Sequence, residues 1–92
     1  MRLIGQSHLN PLIQSGEFAA RWVAAWTAEV KSAHWKKPAD ILVQFPRVGR
    51  TADGEFLFPV ARCAFAVEVL IAFPQGIALI TSLKVIEVAN GS

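Results

Sequence analysis

Hydrophobic and polar positions change rhythm midway along this chain. Between Phe18 and Val30 the large apolar residues fall on every fourth position, Phe18, Trp22, Trp26 and Val30, with Ala19, Val23 and Ala33 beside them. That spacing predicts an α-helix with one apolar face. Glu17 and Arg21 stand four apart on the side facing water, which Thr27 and Lys31 share. From Phe56 onward the period drops to two. Phe56, Phe58 and Val60 alternate with other residues, and Phe65, Val67, Val69, Ile71 and Phe73 do so again. This second pattern predicts strands with one buried face. Arg62-Cys63 reads as a turn, Pro74-Gln75-Gly76 as a hairpin connection, and Ile77 to Val88 as the returning strand. The opposite face of this meander would carry Ala64, Ala66, Glu68 and Leu70, with Ser82 and Lys84 nearby.

Shorter elements fill the rest. Arg2-Leu3-Ile4 reads as an edge strand. Ser7 is placed to cap a short helix with Leu9, Leu12 and Ile13 on one side, and Pro11 falls in its first turn. Ser15-Gly16 breaks that helix, with Ser15 as the cap of the long one. Pro38 opens another short helix through Leu42, with Asp40 near its positive end, and Phe45-Pro46 closes it. Arg47 to Glu55 is a polar, glycine-bearing loop. Helices first and an antiparallel meander afterwards make an α+β domain, in which Trp22, Trp26 and Val30 pack against Phe65, Val67, Val69 and Ile71.

Composition narrows the picture. Ninety-two residues suit one domain, 1–92, with one core. With 53% hydrophobic and 17% charged residues, the surface is less polar than usual, so a partner or a second copy is expected on the strands. A net charge of +2 is compatible with nucleic acid but too small to argue for it. The single Cys63 excludes an internal disulfide and fits a reducing cytosol. The start, Met1 to Gln6, does not read as a signal peptide. The apolar run from Phe56 to Leu83 is broken by Arg62, Glu68, Pro74 and Gln75, so a membrane span of about 20 residues is rejected.

Most chemical templates fail. One cysteine and the distant His8 and His34 give no metal-ligand spacing, so no metal or other cofactor is expected. Gly49 and Gly54 have the outer spacing of a phosphate loop, but Glu55-Phe56 stands where Lys-Ser/Thr is required. No nucleophile context marks a hydrolase triad.

Three stretches carry a resemblance. Met1-Arg2-Leu3-Ile4, then Ala25-Trp26 with Ala28 to Lys31, and then Ala33-x-Trp35-Lys36-x-Pro38-Ala39-Asp40-Ile41 resemble the HigB branch of the RelE-like toxins, and Phe58-x-Val60 is similar to that family's first meander strand. The likeness covers roughly the first sixty residues. It implies the toxin of a bacterial toxin–antitoxin pair, an mRNA-cleaving protein that works on RNA or the ribosome without metal or cofactor. The implied partner is an antitoxin of helix-turn-helix type. The second half departs from the pattern. Ala66 and Thr81 stand where the family places strand arginines, its closing Gly-Thr-His-x-x-Tyr-Asp is absent, and the chain has no tyrosine.

Cleavage through a ribose 2′-hydroxyl needs a base, an acid and positive charge on the phosphate. The remaining candidates are Glu68 as base, Lys84 on the phosphate, and Arg62 at its turn. The first two read equally as a cross-strand ion pair. Lys31, Lys36 and Lys37, with His34 beside Trp35, form the best basic-aromatic patch for single-stranded RNA, and Arg47 and Arg50 would touch its backbone. The alternative there is a core Trp35 with lysines solvating a helix end. Two functions of different class therefore follow: a toxin-fold ribonuclease with weakened catalysis, and a non-catalytic relative that uses its apolar sheet for protein association.

Overall fold

A computed structural model describes residues 1–85 of the chain. Its order is β1 (Arg2–Ile4), a 3-10 turn (Gln6–Leu9), α1 (Asn10–Gln14), α2 (Glu17–Ser32), α3 (Pro38–Gln44), β2 (Gly49–Arg50), β3 (Phe56–Pro59), β4 (Phe65–Ala72) and β5 (Ile77–Val85). The α+β class read from the sequence is the one observed. Three helices pack on a five-stranded sheet of order β1-β5-β4-β3-β2. The sheet is mixed, because β1 joins the antiparallel meander by pairing parallel to β5. Ile86 to Val88 of the expected last strand lie outside the described residues.

Alanines and unbranched side chains give α2 its propensity, with Glu17 in its first turn, ion-paired to Arg21, and Lys31 in its last. Its buried residues are Ala19, Val23, Trp26 and Val30. Phe18, expected on that face, is 47% exposed, and Trp22 is half-buried. The cause is geometric. A row of fourth residues walks about 40° round a helix at each step, so Phe18 lies about 80° away from Trp26. The alternating 4-3-4 spacing from Ala19 keeps to one side.

Trp26 meets the sheet on the ring of Phe58 in β3, with centroids 5.3 Å apart and edge-on geometry. Phe58 also lies 5.2 Å from Phe45 and 6.3 Å from Trp35. Val67 and Val69 of β4 are buried in this same core, with Phe65 and Ile71 at its margin. Trp35 is itself core, and its indole N–H donates to Gln44 Oε1 at 3.0 Å. It is therefore not a stacking platform for RNA. Full burial of such an aromatic side chain is worth about 1.5–3 kcal/mol, so each buried ring of this cluster contributes on that scale.

The caps differ from expectation. Gly5, not Ser7, precedes the 3-10 turn, with φ of 89°, and a Cβ there would stand 2.6 Å from the Ile80 carbonyl oxygen. Only glycine permits that approach. Ser15 Oγ donates to Leu12 O at the end of α1, and α2 starts after Gly16 without a side-chain cap. Ile13, expected on one helical side with Leu9 and Leu12, is 40% exposed while those two are buried. The Asp40 carboxylate accepts the Lys36 backbone N–H at 2.8 Å and so fixes the entry to α3. The polar loop after Pro46 contains the two-residue strand β2, which pairs with Leu57 and Phe56.

Candidate functional site

The helices cover one face of the sheet, and the candidate chemistry lies on the other. Phe56 and Phe58 point into the core, so Leu57 and Pro59 point out, and the register carries that alternation across the strands. Leu57 is opposite Glu68 and Pro59 opposite Ala66. In turn Glu68 is opposite Ser82 and Ala66 opposite Lys84. Between Glu68 and Val69 the register shifts, so that Ser82 and Ile80 are paired and Thr81 is the extra residue of a bulge.

This geometry assembles a polar cluster. Lys84 Nζ lies 3.7 Å from Glu68 Oε1, and the Ser82 hydroxyl donates to the same oxygen at 2.7 Å. The Glu68 side chain retains only 12% of its accessibility, while Lys84 retains 56%. Next to it the Thr81 hydroxyl lies 2.6 Å from Glu55 Oε1 and 3.2 Å from the Glu68 carbonyl oxygen, and its single proton serves one of them at a time. Lys84 and Ser82 both meet the Glu68 carboxylate at Oε1. Alongside, Lys84 and Arg47 line an open groove of about 460 Å³ whose floor includes Leu57, Pro59 and Ala66. Lys84 and Arg47 in the groove can hold an anion, and the Glu68 carboxylate beside Lys84 can accept a proton.

Of the residues proposed from sequence for catalysis, Glu68 and Lys84 are thus brought together and Arg62 is not. Arg62 sits at the β3–β4 turn with φ of 61°, and its guanidinium lies 5.3 Å over the ring of Phe18 on the helical side. Lys31, Lys36 and Lys37 are exposed at the end of α2 and the start of α3. Arg50 lies 4.6 Å over the ring of Phe56. Arg47 borders the sheet groove and also a second cleft, of about 480 Å³, between α2, the end of α3 and the β3–β4 turn. Among the described residues no group of His, Cys, Asp and Glu is placed to hold a metal.

Sequence reasoning placed Ser82 near Lys84 but missed the roles of Thr81 and Glu55, because a bulge inserts a residue without a composition signal. It also missed the second cleft, whose aromatic walls come from three separate segments, α2, the end of α3 and β3. No family model matches this sequence, and no curated protein matches it.

Proposed function

We propose that this chain is a HigB/RelE-like toxin component of a bacterial toxin–antitoxin pair, directed at RNA or the ribosome in the cytoplasm, with weakened catalysis. The observation that supports it most is the juxtaposition of Glu68, Ser82 and Lys84 on the sheet face that the helices leave open, 3.7 Å from carboxylate to ammonium. The Trp-Lys-x-Pro-Ala-Asp-Ile run adds support from sequence, since it builds the Trp35 and Ile41 core contacts and the entry to α3.

In this reading Glu68 takes the 2′-hydroxyl proton of a ribose bound beside Lys84 at the groove. The resulting oxyanion attacks the adjacent phosphorus, a cyclic phosphate forms, and the 5′-oxygen leaves with a proton from Lys84. Arg47 holds the phosphate charge. The site is poor in positive charge at its centre, because Ala66 contributes only a methyl group there. A missing preorganised group commonly costs about 10²–10³ in rate. Cleavage is therefore expected to be slow, with RNA or ribosome binding retained through Lys31, Lys36 and Lys37. Fold does not determine activity, so the test addresses the site. Induction of the chain in a bacterial host should slow growth and shorten mRNA, and Glu68→Gln should relieve both. Normal growth with intact mRNA would sink the catalytic reading.

A second reading has its own observation. Ile4, Leu79 and Leu70 lie side by side across β1, β5 and β4 and are 38%, 37% and 46% exposed. Such an apolar row on an open face suits a non-catalytic relative whose sheet binds a protein, either the antitoxin or a second copy. Light scattering distinguishes the homodimer version, since a monomer at high concentration removes it.

A further inference from the structure

The cleft between α2, the end of α3 and the β3–β4 turn lies on the helical side of the sheet and shares Arg47 and Pro59 with the groove assigned to RNA. Its volume of about 480 Å³ falls within the range of small-molecule sites, about 300–1,000 Å³. Its walls include Trp22, Trp26, Phe45 and Phe58. Trp22 and Trp26 are stacked, with centroids 5.8 Å apart and planes at 11°, and of the pair only the half-buried Trp22 keeps appreciable exposed surface. The indole N–H of Trp26 is buried with no hydrogen-bond partner.

Charge supplies the selection. Arg47 and Arg62 both line the cleft, and neither is ion-paired among the described residues. The one carboxylate in the lining, Glu29, accepts a hydrogen bond from the Gln44 amide at 3.2 Å. Arg62 also occupies the left-handed region, an unusual conformation for a residue with a side chain, and strain of this kind is concentrated at ligand sites. Few polar groups accompany the aromatic walls, so a nucleobase would lose hydrogen bonds to water on entry without replacing them.

We propose that this cleft binds a small aromatic anion, one or two hydrocarbon-rich rings carrying a carboxylate or sulfonate, with the rings against Trp22 and Phe45 and the charge on Arg47 and Arg62. The proposal does not rest on the toxin reading, although both place an anion on Arg47. The test is a titration of the full chain with anilinonaphthalenesulfonate, read by energy transfer from the tryptophans, with near-UV dichroism to verify that the packing is native. One probe should bind per chain. Indoleacetate should displace it at least about tenfold better than neutral indoleacetamide, a ratio of the size that charge-assisted hydrogen bonds give. In the double variant Arg47→Gln, Arg62→Gln that ratio should fall to about one. Ala25→Trp, at an exposed helix position in the cleft lining, should block the probe while leaving the urea-unfolding midpoint unchanged. The proposal is overturned if several probes bind per natively packed chain, if Ala25→Trp binds as well as the parent, or if the ratio survives loss of both arginines. It is also overturned if adenosine monophosphate, or an acidic peptide with an aromatic residue, displaces the probe better than indoleacetate does.

Discussion

Truncating Phe58 to alanine is the most demanding test of the packing. Phe58 is 1% exposed and touches the rings of Trp26, Phe45 and Trp35. Removing a buried phenylalanine side chain costs about 3–5 kcal/mol. Loss of three aromatic partners, each worth about 0.5–1.5 kcal/mol beyond area, places this site at the upper end of that range. Domains are stabilised by roughly 0.05–0.15 kcal/mol per residue, which for this chain is on the order of 5–14 kcal/mol. Phe58→Ala should therefore remove a third or more of the total. Urea unfolding followed by tryptophan fluorescence reads this directly, because the three indoles remain. With an m-value of about 1.5 kcal/mol per molar, the midpoint should fall by about 3 M. Phe18→Ala is the paired control. Phe18 is 47% exposed and meets the Arg62 guanidinium, so its loss should cost about 1 kcal/mol or less. The reasoning is refuted if Phe58→Ala costs less than about 2 kcal/mol, or if Phe18→Ala costs as much.

Three further outcomes are expected. Gly5→Ala should destabilise the chain by more than Gly76→Ala, although both have positive φ, because only at Gly5 does a Cβ meet backbone, the Ile80 carbonyl oxygen at 2.6 Å; comparison of their urea midpoints decides. Lys84→Met should change stability by no more than about 1 kcal/mol, since its partner pair is solvent-exposed on the lysine side, and a larger loss in thermal unfolding would mean that the pair is structural. Replacing Lys31, Lys36 and Lys37 by glutamine should weaken RNA retention in filter binding and flatten its salt dependence, whereas an unchanged salt slope would place the RNA elsewhere.

The helix and strands were legible in the sequence because the period itself changes, from about 3.6 at Trp22 to Val30 to two at Phe65 to Phe73. What escaped was rotation and register. Phe18 fits the fourth-residue row but drifts off the core face, and nothing in the pattern reveals that the 4-3-4 row from Ala19 is the deeper one. The pairing of Glu68 with Lys84 was accessible because both fall on the outward set of two adjacent strands. Their convergence with Thr81 and Glu55 was not, since it depends on the bulge in β5. Trp35 was open to two readings, and its packing against Phe45 and Phe58 decides that it is core. Arg47 and Arg62 are nearly invisible as a pair, fifteen positions apart on separate loops that the fold brings to one cleft.

The central claim, a toxin-like protein directed at RNA or the ribosome, is tested most directly by co-sedimentation of the purified chain with mRNA-loaded ribosomes across a salt series. The account expects the chain in the ribosomal pellet at low salt, released as salt rises, and depleted from the pellet when Lys31, Lys36 and Lys37 are replaced by glutamine. A chain that stays in the supernatant at the lowest salt would contradict it.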